Sequence, residues 1–350
     1  MKDMKGIRDM KGVKKNVPVG QPRTRRATVA LPLFMIFTAF MSFMYCTRAA
    51  ELPSSSASPA PAGGQAAKPA AFDSARAFEH LKQMVAIGPR PAGSAALRQT
   101  RAYITRQLSD LGLTVQEQPF QAETPIGRVE MVNLIVRLPG KRTDRILFTG
   151  HYDTKLFKEF KFIGASDGAS SGAFLIELAR VLKDYPREFT HEIVWFDGEE
   201  AFCKTWTECG KPDSPDNTYG SRYYVQAAEK ANALTSIRAM MLFDMIGAKD
   251  LKIDRETGYS APWLTDIVWA QANKLGHGNI FQTVGGAIED DHVPFSKAGV
   301  PTIDLIDLNN YPQWHTPDDD LNHVSARSLQ IVGDVVLASL PEIEKRLTKQ

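Results

Sequence analysis

Six short stretches of this sequence bring together residue types that can hold a metal or move a proton. They are His151 and Asp153, Asp167 in Gly-Ala-Ser-Asp-Gly-Ala, the adjacent pair Glu199 and Glu200, Asp244, the run Asp290-Asp291-His292, and His315 in Trp-His-Thr. Taken singly, each has an ordinary explanation as a strand-end acid, a helix cap or a satisfied histidine. Together they offer more. Two carboxylates and one imidazole drawn from separate loops form a normal three-ligand zinc set with an open fourth position, which is the arrangement of a catalytic site. A further carboxylate beside a ligand can take a proton from a nucleophile and hand it to a leaving group. Glu199 next to Glu200 offers that division of labour, one carboxylate on the metal and the other on the proton.

Such residues need a scaffold that gathers them. Apolar strand-like runs at 145–149, 192–196, 239–243 and 302–306 alternate with amphipathic helices, the pattern of a mostly parallel sheet covered on both faces. Ser94 reads as the cap of a helix with Leu97, Ile104, Leu108 and Leu111 on one face and Gly112 as its stop. Further helices are read over 172–182 and 325–340. His151, Asp153, Glu199, Glu200 and Asp244 fall at or just beyond strand C-terminal ends, where open α/β sheets bind their ligands.

The blocks HYDT (151–154), IGASDGASSGAFLIELARVL (163–182), VWFDGEEAF (194–202), YGSRYY (219–224), LFDMIGA (242–248), EDDHVPF (289–295) and WHTPDDD (314–320) occur in an order that resembles the glutaminyl-peptide cyclotransferases, or glutaminyl cyclases. The resemblance covers nearly the whole folded region. It implies a zinc-aminopeptidase-like α/β fold: a three-layer α/β/α sandwich with a mixed, mostly parallel central sheet. It implies one zinc (Zn2+) per chain held by Asp167, Glu200 and His315, with Glu199 as general acid and base and Asp244 and Asp290 in its hydrogen-bonded network. Trp206, Trp314 and Tyr311 become aromatic walls of a substrate pocket, with His151 and Asp153 in a supporting or second-metal position. The implied substrates are peptides or proteins with an N-terminal glutamine. Gly150 and Gly172 stand where the animal secreted members carry a cysteine pair, so that bridge is not expected here, and Asp304 replaces a histidine. A secreted di-zinc aminopeptidase on the same fold is the alternative, using His151, Asp167, Glu200, Asp244 and His315. A catalytically silent binding domain is disfavoured, because no ligand and no general base is lost.

Composition fits a soluble globular protein, and the start of the chain is expected to direct its export. Of 350 residues, 43% are hydrophobic and 23% charged, as in a soluble globular chain. The net charge of +2 is uneven: residues 1–28 carry +7, leaving an acidic remainder that argues against nucleic-acid binding. An apolar run at 29–46 follows the basic start and reads as an export signal or membrane anchor, with the catalytic part periplasmic, secreted or membrane-anchored outside the cytoplasm. From Glu51 to Ala70, sixteen of twenty residues are Pro, Ser, Ala or Gly, a linker composition. The expected organisation is therefore 1–50 basic start and signal, 51–71 linker and 72–350 a single catalytic domain. Cys203 and Cys209, six positions apart on either side of Trp206, are expected to bridge in an oxidising compartment.

Overall fold

The computed structural model describes residues 70–211 and 214–349, all within one compact unit, Gly64–Gln350. The basic start, the apolar run at 29–46 and the linker up to residue 69 lie outside the described residues. Among those described, no helix is long and apolar enough to cross a membrane. In chain order the elements are α1 (Ser74–Ile87), α2 (Ala95–Asp110), β1 (Val115–Thr124), β2 (Gly127–Leu138), β3 (Arg142–His151), α3 (Ala169–Lys183), β4 (Phe189–Phe196), α4 (Trp206–Cys209), α5 (Tyr219–Lys230), β5 (Ile237–Asp244), α6 (Pro262–Lys274), α7 (His292–Lys297), β6 (Thr302–Ile306) and α8 (Ala326–Leu347).

The strands form one six-stranded sheet in the order β1-β2-β4-β3-β5-β6. β3 pairs in parallel with β4 and β5, and β5 with β6. β1 and β2 form an antiparallel hairpin that joins the sheet through β2 and β4. Side chains of a strand alternate between faces, so a doubly covered strand must be apolar at both parities. That is what these sequences supply. Ile146 and Phe148 of β3, Ile193 and Trp195 of β4, and Met241 and Phe243 of β5 enter the core under α1, α2, α3, α6 and α8. Leu147, Val194, Phe196, Met240 and Leu242 point to the opposite core, closed by Tyr224 and Val225 of α5 and Phe295 of α7. The result is a three-layer α/β/α sandwich with a mixed, mostly parallel sheet.

Ser94 caps α2 by accepting from the Leu97 amide at 3.0 Å, and Gly112 follows with φ of +75°. The closing helix does not stop at residue 340. It runs through Pro341 to Leu347, because burial of Ile343 and Leu347 and the seating of Glu344 against the Glu188 amide offset the lost hydrogen bond. Leu111, expected on the apolar face of α2, instead ends the helix and is only half-buried.

Because β3 lies between β4 and β5, the chain leaves it toward one side through α3 and returns to the other through α5. The crevice at such a switch point opens at the C-terminal strand ends, and there His151, the Glu199-Glu200 pair and Asp244 emerge.

Candidate active site

The loop after β3 is built on buried polar clamps. Arg90, fully buried, donates from Nε to the Tyr152 carbonyl (3.0 Å), from Nη1 to Ile163 (2.7 Å) and from Nη2 to Gly164 (2.9 Å). Asp153 accepts from the backbone amides of Glu199 (3.2 Å) and Glu200 (3.4 Å), so the end of β3 sets the position of the glutamate pair after β4. Its Oδ1 also lies 3.4 Å from His151 Nδ1. The Glu199 carbonyl accepts from Thr218 (2.8 Å), and Lys155 Nζ donates to the Ala201 carbonyl (2.8 Å) with Glu200 Oε2 at 3.8 Å. Asp167 is presented by a tight turn in which Gly168 has φ of +84°, and any Cβ there would meet the Asp153 carbonyl oxygen at 2.3 Å. The amides of Ser166 and Asp167 donate to the Asp319 carboxylate at 2.7 and 3.0 Å.

These supports bring Asp167, Glu200 and His315 together. His315 Nε2 lies 3.2 Å from Glu200 Oε1 and 3.4 Å from Asp167 Oδ2, and ligand atoms of all three fall within 4.8 Å of one another. The His315 ring is stacked by Trp314 (centroids 4.3 Å apart) and met edge-on by Phe157 and Phe162. A second group, His151, Asp167 and Asp244, shares Asp167: His151 Nε2 is 3.2 Å from Asp167 Oδ1 and 3.0 Å from Asp244 Oδ1. Met245, His315 and Thr218 all carry positive φ (50°, 56° and 48°), a costly backbone state for such residues that here clusters around one site.

The electrostatics call for a cation. Burial, then Asp290 and Glu200, pushes the Glu199 carboxyl well above its ordinary range. Burial likewise raises Glu200, Asp244, Asp290 and Asp304, each further lifted by neighbouring acids. Burial works against ionisation of Asp167 too, yet the close approach of His151 and His315 holds it well below the usual carboxylate range. The same contacts act on the histidines against burial: Glu200 and Asp167 raise His315 to about 10, and Asp244 raises His151 well above its ordinary value. A divalent metal held at this cluster would neutralise the carboxylates and release the protons of its ligands. Asp167 Oδ2 is buried without a hydrogen-bond partner. Two carboxylates and an imidazole around that atom fit zinc with one position open.

A cleft of about 310 Å³ opens over this cluster, lined by Asp167, Glu199, Glu200, Asp244, Asp290 and His315 on its polar side and by Trp206, Met245, Ile288, Ile306, Leu308 and Trp314 on its apolar side. His151 and Asp153 do not line it and stand behind the ligands. Tyr311, expected as a third aromatic wall, does not line it either. Its ring is buried and its hydroxyl donates to Asp319 Oδ1 at 2.7 Å, so it braces the carboxylate that holds the Asp167 backbone. Asp304 is buried near His292 (3.7 Å), which also approaches Glu256 (3.5 Å). Sequence reasoning passed over Arg90, Lys155 and Asp319. Asp319 was visible within WHTPDDD, and the Lys following HYDT was a signal, whereas nothing in Gly-Pro-Arg-Pro marks Arg90 as a buried clamp. Cys203 and Cys209 are joined, with Cα atoms 6.1 Å apart, which ties the last residue of α4 to the segment just before that helix and encloses Trp206, its first residue.

Residues 133–340 match Peptidase family M28. The chain is 30% identical to the glutaminyl-peptide cyclotransferase of Drosophila melanogaster over 69% of this chain and 74% of that protein. The crystal structure of an Acidobacteriales bacterium glutaminyl cyclase superposes with a TM-score of 0.74 at 36% identity, covering 83% of this chain and all of that one. A leucine aminopeptidase precursor from Bacteroides thetaiotaomicron superposes with a TM-score of 0.71 at 26% identity, over 78% and 98% of the two chains. With a 30%-identical relative covered over three-quarters of its length and a family match across more than half of the sequence, this chain belongs to peptidase family M28 and, within it, to the glutaminyl-peptide cyclotransferases.

Proposed function

We infer that the chain is a zinc-dependent glutaminyl-peptide cyclotransferase, converting the N-terminal glutamine of peptides or proteins to pyroglutamate with release of ammonia. The observation that carries this reading is the pairing of a three-ligand cluster, Asp167, Glu200 and His315, with a buried high-pKa carboxyl, Glu199, in one aromatic-walled cleft. Zinc bound by these three residues would supply Lewis-acid polarisation of the side-chain carboxamide. The α-amine nitrogen then forms a bond to the carboxamide carbon, closing a five-membered ring, and the bond from that carbon to the amide nitrogen breaks. Glu199 accepts the proton shed by the attacking amine and delivers it to the departing nitrogen, which leaves as ammonia; no water is consumed. A carboxyl held well above its ordinary range suits both halves of this exchange. Burial, with Asp290 and Glu200 beside it, keeps it there; Asp244 lines the same cleft, and Trp206 and Trp314 flank the glutamine side chain. Export to an oxidising compartment accords with the Cys203–Cys209 bridge.

One observation favours a second reading, a di-zinc aminopeptidase: His151, Asp167 and Asp244 form a further ligand group sharing Asp167. With one tightly held zinc, His151 and Asp244 remain hydrogen-bonding partners of each other.

Replacing Glu199 with Gln tests the reading. Ammonia release from a glutamine-led peptide should fall by about 100 to 10,000-fold while one zinc per chain is retained, and chelation should abolish activity in the parent protein. Loss of zinc together with activity would make Glu199 a ligand, and two tightly bound zinc ions per chain in the parent would favour the peptidase.

A further inference from the structure

The catalytic cleft does not end at the glutamine pocket. A second hollow of about 610 Å³ adjoins it and shares three of its lining residues, Trp206, Glu289 and Asp290. Away from that shared border the hollow turns basic, with Lys211, Arg222 and Lys297 on its walls. Arg222 is committed to the backbone, its Nη2 donating to the carbonyls of Pro215 (2.9 Å) and Asn217 (2.8 Å), so it lends charge without reaching outward. Lys211 and Lys297 are both exposed on the walls of the hollow, the Lys297 ammonium lying 5.9 Å from the centre of the Tyr259 ring. Among the described residues of the neighbouring loop, Glu208 accepts from the Lys204 amide, and Asp216 from the Cys203 amide and the Tyr219 hydroxyl, so both are turned elsewhere. A polarity therefore runs from the acidic pocket, suited to an α-amine, to a basic groove about one cavity further on.

We propose that this groove receives the residues following the N-terminal glutamine, and that Lys211 and Lys297 select substrates with acidic side chains there. The proposal rests on the cyclase reading, since it is the chain leaving the glutamine pocket that enters the groove. Like charges placed opposite one another disfavour the wrong peptide, while complementary ones steer and hold the right one.

The test uses glutamine-led tetrapeptides that differ only in carrying Glu, Ala or Lys at the second and third positions, with glutamine amide as a substrate that lacks any following residue. At low ionic strength the Glu peptide should show a KM about three- to tenfold below that of the Lys peptide, the scale of two exposed ion pairs. The difference should shrink as salt is added. In the double variant Lys211→Glu with Lys297→Glu the order of the two peptides should reverse, each compared with the Ala peptide on the same protein. Equal KM values for all three peptides on the parent protein, or a preference that survives both the charge reversal and high salt, would overturn the proposal. Failure of the parent protein to release ammonia from glutamine amide would overturn the cyclase reading itself, and with it the proposal.

Discussion

Two aromatic residues close to His315 do opposite things, and the difference is measurable. Trp314 is 42% exposed, stacks on the His315 ring and faces the cleft, whereas the Tyr311 hydroxyl points away to Asp319. Trp314→Ala should raise KM for glutamine-led peptides roughly three- to tenfold, the worth of one aromatic contact. Tyr311→Phe keeps the ring and removes only the hydroxyl, so KM should stay near the parent value. Its effect should appear as a zinc affinity about tenfold weaker in competition with a chelator, because the carboxylate that holds the Asp167 backbone loses a donor. A raised KM with unchanged zinc affinity in Tyr311→Phe would return Tyr311 to the cleft wall. At this scale, residue types and motif order brought out Asp167, Glu199, Glu200 and His315, because ligand chemistry restricts which side chains can serve. The direction in which Tyr311 points depends on a partner eight residues away in an irregular loop, and no spacing rule encodes that.

Helix α1 packs against α2 through a half-buried pair, His80 Nδ1 and the Tyr103 hydroxyl at 2.8 Å. Burial, with Arg76 nearby, lowers the His80 pKa from 6.5 to about 4. The unfolded chain therefore binds a proton near pH 6.5 that the folded protein refuses until about pH 4, so this pair loses stability as pH falls through that window. After allowance for solvent screening, the loss should be about 1 kcal/mol. Buried acids such as Asp197, raised to about 8 chiefly by burial, act in the opposite direction, which is why the comparison must be with a variant. On going from pH 7 to pH 4.5 the urea midpoint of His80→Gln should fall less, or rise more, than that of the parent; an identical shift in the two proteins would show that His80 does not contribute. The strands that carry the site were legible because both of their faces are covered and each reads as an apolar run. Helix α1 and the β1–β2 hairpin went unread. β1 alternates weakly, with Phe120 and Ala122 its buried positions, and contains a proline that an edge strand tolerates.

Across the whole molecule, catalysis and compartment meet in the loop that carries Trp206. The Cys203–Cys209 bridge closes only a short stretch, so reduction or a double change to Ser should cost about 2 kcal/mol of global stability or less. The larger effect should fall on substrate binding, with KM for glutamine-led peptides rising while kcat is largely kept, since Trp206 lines both cavities and Glu199 is held independently through Asp153 and Thr218. Two free thiols by alkylation and mass spectrometry, on protein exported under oxidising conditions, would show that the bridge does not form. Product masses after incubation of the purified protein with a glutamine-led and a leucine-led peptide separate ring closure from chain cutting. Ring closure means that the first peptide loses one ammonia at constant length and the second is unchanged; removal of a whole N-terminal residue from either peptide would show a peptidase instead.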